Sequence, residues 1–550
     1  MPLKSPRPDV HIPDQDIISF LFDRKPACDP NAPLFVNGMT GVGCSWNQLK
    51  DLSRRFGAGL VEKLQWKKGD VLAIMTQNAV EYPIVAFGTH IASGIVTPVN
   101  PSYTAPELTH QLRNSGARIL VIQPSLLPIG IEACKTLNIP RERIYVIAEE
   151  SVQGFQPWSS IMSKNQLTKA EHIKNPSKDL AYLVYSSGTT GLAKGVMLSH
   201  TNLIANMCQL YGAEGKYFTV GKSKYIGVLP FYHIYGLTCL VHLPVLQGIP
   251  VIILPQFTLK DFCNIVQKYK ITYVYAVPPI ILQLAKDPIV DNYDLTSLEM
   301  FNCGAAPLTK ELTIEATERL RVPIKQGYGM TESSPVSIVQ DWNKWRVYGS
   351  TGHLLPNMSL KFVSPGPEHD ELPVNTEGEL WVRGPNVMQG YHGNEEATRE
   401  TITEDGWLRT GDVGYVDEEG NVFITDRVKE LIKYKGFQVP PAELEGVIIS
   451  HPAVKDVAVI GVYDATQATE LPRAYVVLKD SVKGREMEME KDIVAFVKGR
   501  VARHKRLRGG VRFVEEVPKS PSGKILRRKL RDEVKAQGET AGAFQAVAKL

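Results

Sequence analysis

The stretch of this sequence best equipped for chemistry is a short run of hydroxyl-bearing residues, glycines and one lysine. Between Tyr185 and Val196 the chain reads YSSGTTGLAKGV. Glycines let the backbone turn tightly and point successive N–H groups at one anion, hydroxyls add donors, and lysine adds a mobile positive charge. This chemistry suits a triphosphate. The candidate phosphate-binding residues are Ser186, Ser187, Gly188, Thr189, Thr190, Gly191 and Lys194.

Two predicted strands must position these residues, which we call the glycine loop (186–194). Apolar runs at 180–184 and 196–198 flank it and are typical of short buried strands. The loop departs from the Walker A motif, since its lysine is preceded by Ala193 and followed by Gly195. An ordinary P-loop ATPase is therefore disfavoured. A flexible surface loop is the alternative interpretation, and the apolar flanks favour phosphate binding over it.

The length and composition are typical of a globular protein with more than one domain. The chain has 550 residues, of which 43% are hydrophobic and 22% charged. A net charge of +4 gives no reason to expect a nucleic-acid partner. Seven scattered cysteines without a CxxC pair exclude a standard zinc module and indicate reduced thiols in an intracellular compartment. We expect neither a secretory signal nor a membrane span, because no apolar run is long enough.

The pattern of elements predicts an α/β fold with a second, smaller domain. Strand and helix signals alternate from 71 to 122 and resume after the glycine loop, which favours a parallel sheet. Short strands with turns follow residue 351 and predict a small β-rich subdomain. We therefore expect a large N-terminal domain of α/β subdomains plus this β-rich subdomain (1–428), followed by a small mobile α+β C-terminal domain (429–550).

Five further motifs lie along the chain in a fixed order. They are FYHIYG at 231–236, NCGAAP at 302–307, QGYGMTE at 326–332, WLRTGD at 407–412 and PKSPSGK at 518–524. Together with the glycine loop they resemble the signatures of the adenylate-forming enzymes, which include acyl- and aryl-CoA ligases, luciferases and peptide-synthetase adenylation domains. The resemblance extends from about residue 30 to residue 530. The run 429–445 is most similar to the 4-coumarate–CoA ligase and luciferase branch.

The resemblance implies an ATP-dependent acid–CoA ligase that works in two steps. A carboxylate attacks the α-phosphate of ATP to give acyl-adenylate and pyrophosphate, and the thiol of CoA then displaces AMP. The glycine loop would hold the β- and γ-phosphates, and Thr331 would bond to the α-phosphate. Glu332, with Thr190, would bind Mg²⁺, a hard cation that prefers oxygen ligands.

The resemblance also assigns the nucleotide site. Asp412 would accept both ribose hydroxyls, and Arg427 would be its cationic companion. The adenine slot and the backbone around it would be formed by Gly304, Ala305, Ala306, Pro307, Gln326, Gly327, Tyr328, Gly329 and Met330.

The resemblance also implies that different lysines of the smaller domain serve the two steps. Lys524 would stabilise the adenylation transition state as a compact positive charge delivered by a mobile loop. Lys429 matches the hinge position. Lys433, Gly436 and Gln438 match residues used in the thioester-forming conformation.

The acyl pocket predicted by resemblance suits an aryl or medium-chain acid. Its residues would be His233, Tyr235, Asn302, Cys303, Gly304, Gly327, Gly329, Pro335 and Val336. The sequence departs from plant coumarate ligases, because Ser333–Ser334 replaces their Ala-Gly and Asn302–Cys303 replaces their Lys-Ser. These departures argue against a hydroxycinnamate substrate.

Three other functions share much of this pattern. A luciferase-like oxygenase has the same motifs. A stand-alone adenylation enzyme that loads a carrier protein is disfavoured, since no Asp near His233 is present to bind an amino group. A non-catalytic binding module is disfavoured because all the catalytic residue types are present. The final residues, Ala548, Lys549 and Leu550, resemble a peroxisomal address and predict a peroxisomal import receptor as partner and peroxisomal localisation.

Overall fold

The computed structural model of the protein describes most of the chain. The described residues are 2–168, 173–186, 193–364, 368–435, 437–464, 467, 469–520 and 523–536. Several residues predicted to be functional lie outside them: Ser187, Gly188, Thr189, Thr190, Gly191, Gly436, Ala548, Lys549 and Leu550.

The glycine loop joins two strands of a sheet that, in the described ranges, has seven strands. In spatial order they are Gly390–Tyr391, Lys194–Ser199, Leu180–Ser186, Ile95–Val99, Val71–Met75, Ala117–Ile122 and Ile144–Val146. The last five run parallel, as the strand–helix alternation predicts, and the strands on both sides of the loop form an antiparallel hairpin. We call Leu180–Ser186 with Lys194–Ser199 the glycine-loop hairpin. The sheet is therefore mixed rather than parallel throughout.

A second sheet carries the motifs between 300 and 332. The described part of the chain gives it nine strands: His353–Leu354, Val336–Val339, Ile324–Gly329, Met300–Cys303, Tyr273–Ala276, Tyr225–Gly227, Val251–Ile253, Pro33–Asn37 and Gly43–Ser45. Met300–Cys303 and Ile324–Gly329 are parallel neighbours, so their carboxyl ends meet at one edge. The α-helices of this domain are Ile17–Phe22, Trp46–Leu64, Glu81–Ile91, Ala105–Ser115, Leu127–Thr136, His200–Glu214, Ile234–Gly236, Leu243–Gln247, Leu259–Tyr269, Pro278–Lys286, Lys310–Leu320 and Glu395–Thr401.

The β-rich subdomain is an antiparallel sheet that, as far as the structure describes it, has five strands. They are Leu3–Lys4, Ser359–Val363, Gly378–Arg383, Leu408–Val416 and Val422–Arg427. The sequence predicts the last four, while Leu3–Lys4 joins them only through a contact about 350 residues away.

The C-terminal domain has its own hydrophobic core. Its elements are the strands Ile432–Tyr434, Phe437–Val439, Val454–Asp464, Thr469–Leu478 and Val511–Phe513 and the helices Pro441–Ile449, Glu486–Lys498 and Arg527–Ala536. The larger core extends to Val422 and the smaller one begins at Ile432, and the boundary predicted between 428 and 429 falls between them. Leu530 and Val534, one helical turn apart, bury the last helix against the smaller core.

Three buried histidines attach the glycine-loop hairpin to the larger core. Tyr182, on the first hairpin strand, donates to His242 Nε2 at 3.1 Å, and its ring packs edge-on against His90, which contacts His200 in the same way. Burial lowers the pKa of His242 and of His200 to about 4, so both are neutral at pH 7. The hairpin is thus fixed by a neutral, closely packed ring cluster. No helix of the described part is long and apolar enough to span a membrane.

Candidate active site

The ends of the glycine loop lie beside a buried carboxylate. Ser186 and Lys194 are cross-strand partners in the glycine-loop hairpin. Ser186 Oγ donates to Glu332 Oε1 at 3.2 Å, and the Tyr391 hydroxyl donates to the same oxygen at 2.9 Å. The ammonium of Lys194 lies 4.9 Å from the centre of the Tyr391 ring. Glu332 is buried. The structure therefore brings a lysine, a hydroxyl and a carboxylate to one end of the hairpin.

Side-chain amides hold the turn that carries Glu332. Asn386 donates to the carbonyl of Ser333 at 2.7 Å, and Asn206 donates to Val336 O at 2.7 Å while accepting from Val336 N at 3.2 Å. These amides satisfy backbone groups that no regular strand or helix would pair. The Thr331–Ser333 turn is rigid because the interior of the protein fixes it.

The Asp412 carboxylate is held by two neighbours. Tyr328 donates to its Oδ2 at 2.6 Å, and Arg427 Nε lies 2.8 Å from its Oδ1. Burial, and then the charge of Asp412, raise the pKa of the Tyr328 hydroxyl well above its usual value, so Tyr328 stays a donor. Arg427 faces Asp412 across two paired strands. The predicted ribose pair is thus assembled, and Tyr328 contacts it as well as lying next to the predicted adenine slot.

Lys524 reaches this site from the other domain. Burial lowers the pKa of its ammonium to about 8, with a further contribution from Arg427, while the carboxylates of Asp412 and Glu332 act in the opposite direction. Burial, and then the charge of Lys524, lower the pKa of His233 to about 4, so this histidine is neutral at pH 7. The five residues come from sequence positions almost 300 apart and from both domains.

A cavity of about 420 Å³ lies beside this cluster, between the large domain and the loop that carries Lys524. Its wall includes His233, Tyr235, Phe257, Ala305 and Gly523. It is large enough for a small acid, since ligand pockets start at about 300 Å³.

The predicted acyl-pocket residues cluster around Tyr235. The Tyr235 hydroxyl donates to Asn302 O at 3.0 Å, and a Cβ at Gly304 would lie 3.4 Å from the Tyr235 ring. A Cβ at Gly329 would lie 2.1 Å from the carbonyl oxygen of Pro335. Close backbone packing therefore requires glycine at this predicted pocket position.

Comparison with known proteins identifies the family. The family described as "AMP-binding enzyme" matches residues 22–392, and "AMP-binding enzyme C-terminal domain" matches residues 443–524. The chain belongs to the AMP-binding enzyme family. Probable 4-coumarate–CoA ligase 3 of Dictyostelium discoideum is 40% identical over 540 residues, which cover 96% of each chain.

Solved structures of this family share the fold. ATP-bound MatB from Rhodopseudomonas palustris has a TM-score of 0.84 at 28% identity, covering 95% of this chain and 99% of that one. The anthranilate CoA ligase AuaEII in complex with anthranoyl-AMP has a TM-score of 0.84 at 25% identity, covering 96% and 99%. The predicted α/β fold with a small C-terminal domain is confirmed, and so is the coarse activity: this AMP-binding enzyme is an AMP-forming acid–CoA ligase that uses ATP and CoA.

Two of the residues predicted for the thioester step, Lys433 and Gln438, lie on the surface of the C-terminal domain. Lys433 and Gln438 are cross-strand partners on a hairpin of the C-terminal domain, and both are exposed. Lys433 N donates to Glu470 Oε2 at 2.7 Å. The structure of this AMP-binding enzyme therefore assembles the adenylation residues and leaves the second set facing solvent.

Two residues of the site were missed by sequence reasoning. Tyr391 reaches Glu332 because its short strand pairs with Lys194–Ser199, nearly 200 residues away. Asn78 donates to Gly227 O at 3.0 Å and Leu229 O at 2.9 Å, and so holds the segment that leads to His233. A lone Tyr and a lone Asn carry no local signal, so only the long-range pairing reveals them.

Replacing Tyr391 by Phe tests how Glu332 is held. The ring beside Lys194 remains, but the hydroxyl donor to the carboxylate is lost. We expect the KM for ATP in pyrophosphate release to rise about ten-fold, the lower end for a hydrogen bond to a charged group. The Tyr391→Ala variant, which also loses the ring, should show a still higher KM for ATP. An unchanged KM in Tyr391→Phe would show that this hydroxyl does not position Glu332.

Proposed function

We propose that this AMP-binding enzyme converts an aryl or medium-chain carboxylic acid to its CoA thioester. One carboxylate oxygen attacks the α-phosphorus of ATP as the bond to pyrophosphate breaks. The CoA sulfur then attacks the acyl carbon, the bond to AMP breaks, and the thiol proton is released. The observation that carries the proposal is the convergence of Lys524 with Glu332, Asp412, Arg427 and His233.

Lys524 supplies positive charge where negative charge develops. Its pKa of about 8 keeps the ammonium mostly protonated at pH 7, although it is partly buried. A partly buried cation is less screened by water, so it stabilises charge more than a surface lysine would. His233 is neutral beside it and does not compete as a second cation. Its proposed role is to shape the acyl pocket and to orient the acid within it.

The residues around Glu332 fit a Mg²⁺ ion. Glu332 is a buried carboxylate, and the hydrogen bonds that described residues give it both go to Oε1. Mg²⁺ prefers a small number of carboxylates together with phosphate oxygens and water. We propose that Glu332 holds Mg²⁺ with the phosphates of ATP, with Thr190 as the predicted second ligand. When bound, the ion would neutralise phosphate charge.

The thioester step needs a second orientation of the C-terminal domain. Lys433 and Gln438 follow the predicted hinge at Lys429 and are exposed. Rotation about Lys429 would remove Lys524 from the site and bring this hairpin in with CoA. The exposed position of Lys433 and Gln438 supports the proposal.

Aromatic acids are the favoured substrates. The wall of the cavity includes the flat ring of Tyr235, and offset stacking contributes about 0.5–1.5 kcal/mol beyond buried area. The names of two similar proteins, 4-coumarate–CoA ligase and anthranilate CoA ligase, both specify aromatic acids. Stacking is too weak to exclude medium aliphatic chains, so we propose a ranking of acids rather than a single one.

The two half-reactions should respond differently to two lysine variants. Lys524→Ala should slow adenylation about 100-fold or more, as loss of one positioned charge does, and leave thioester formation from supplied acyl-adenylate largely intact. Lys433→Ala should leave adenylation largely intact and slow thioester formation. For wild-type enzyme, adenylation kcat/KM should fall above about pH 8, where Lys524 loses its proton. Pyrophosphate release and thioester yield measure the two steps, and equal loss of both in Lys524→Ala would contradict the division.

A panel of acids tests the substrate class. We expect kcat/KM to be highest for phenylacetate and cinnamate, next for hexanoate and octanoate, and low for acetate and palmitate. Tyr235→Leu should reduce the preference for aryl acids about two- to ten-fold, the loss that stacking energies predict. Tyr235→Phe keeps the ring and serves as the matched control. A wild-type preference for acetate or palmitate would overturn the assignment.

The C-terminal tripeptide stays a prediction. We infer from Ala548, Lys549 and Leu550 that an import receptor delivers the enzyme to peroxisomes. An N-terminally tagged chain lacking Leu550 should then spread through the cytosol, while the full tagged chain stays in peroxisomes. Peroxisomal fluorescence from the shortened chain would refute this address.

A further inference from the structure

A carboxylate of the large domain binds a helix of the small one. Asp426 lies on Val422–Arg427, the last strand of the β-rich subdomain, and is buried. Its Oδ2 accepts from the backbone N–H of Ala442, in the first turn of Pro441–Ile449, at 2.9 Å. Its Oδ1 accepts from the N–H of Arg427 at 2.7 Å, which fixes the side-chain orientation. The contact crosses the predicted domain boundary.

This helix N-terminus has an unusual need for an outside acceptor. The residue before the helix is Pro440, which offers no capping side chain, and Pro441 has no N–H. The N–H of Ala442 is therefore the first that the helix presents, and Asp426 accepts it. A negative charge at a helix N-terminus also interacts favourably with the helix dipole.

The capped helix is tied in turn to the loop that carries Lys524. Glu445, one turn further along, forms an ion pair with Arg527, with 2.6 Å between Oε2 and Nη2. Arg527 follows Lys524 by three residues. Arg427, which follows Asp426 at the end of the strand Val422–Arg427, binds the Asp412 carboxylate. Asp426 thus stands where the nucleotide site and the Lys524 loop are joined.

We propose that Asp426 is a positioning residue that latches the C-terminal domain in the orientation that delivers Lys524 for adenylation. This inference rests on the proposed two-step function. The predicted hinge, Lys429, lies between Asp426 and Ala442 in the chain, so rotation about it separates the two partners. The latch therefore closes for the first step and opens for the second.

The balance of charges around Asp426 suits a contact that must open. Burial raises its pKa to about 7, while the charge of Arg527 and the two backbone N–H groups lower it, and Glu445 raises it slightly. The neutral and ionised forms are therefore close in free energy near pH 7. A fully stabilised buried carboxylate would hold the domain more permanently.

Two substitutions of Asp426 test the latch. Asp426→Ala removes the acceptor, and Asp426→Asn keeps an oxygen acceptor without the charge. Asp417→Asn is the matched control, because Asp417 lies in the turn between Leu408–Val416 and Val422–Arg427 and accepts from the backbone N–H groups of Glu419 and Asn421. Each variant is measured in pyrophosphate exchange and in thioester formation from synthetic acyl-adenylate and CoA. The acid is the best substrate among phenylacetate, cinnamate, hexanoate and octanoate.

We expect pyrophosphate exchange to fall about five-fold in Asp426→Ala, the factor that corresponds to the typical loss of one helix cap, and less in Asp426→Asn. Thioester formation should stay at the wild-type rate or rise, because the second orientation becomes easier to reach. Asp417→Asn should leave both rates unchanged. Thermal unfolding establishes whether each variant is folded. If Asp426→Ala does not fold, the test is made with Asp426→Asn alone.

Equal loss of both half-reactions in a folded variant would show that Asp426 is only structural. Unchanged exchange in both Asp426 variants would also overturn the latch. Failure of the proposed function is distinguishable from either result, since the wild-type enzyme would then release no pyrophosphate with any acid of the panel.

Discussion

The candidate active site joins the two predicted domains through one ammonium group, which we propose acts in adenylation. Lys524 belongs to the small domain, yet its charge is felt by Arg427, Asp412 and Glu332 of the large one. Burial works against this charge, as its lowered pKa shows, and the carboxylates oppose that effect. The cation is held in the site by surrounding charge rather than by its own solvation, so its presence depends on domain orientation.

In the large domain, buried side-chain contacts hold the elements that surround the candidate site. Tyr182 and its histidine neighbours attach the glycine-loop hairpin to the larger core, and buried amides hold the turn that carries Glu332. The hydrogen bonds of these buried groups favour one geometry, because breaking any one of them leaves a costly unpaired group. The Glu332 end of the candidate site is therefore held by contacts within the large domain.

The small domain is built differently, with its own core and a limited set of polar contacts to its neighbour. Its hydrophobic cluster begins at Ile432, and Asp426 reaches across to the helix that follows. An orientation fixed by hydrogen bonds can be changed at lower cost than one fixed by a shared apolar core. This division suits an enzyme that must form an adenylate and a thioester with the same large domain.

Residue order alone determined the family, the α/β class and most of the chemistry. Motifs such as the glycine loop are local, and continuous apolar runs predicted the strands Val71–Met75 and Ala117–Ile122 with their observed bounds. The tertiary structure decided what depends on distant pairing. Tyr391 meets Glu332, and Asp426 meets Ala442, only because strands and domains far apart in sequence become neighbours. Gly329 shows the same limit, since only the structure reveals that the backbone of Pro335 leaves no room for a side chain at this position. Sequence specifies which groups are available, but the distance between two of them is set by the packing of everything in between.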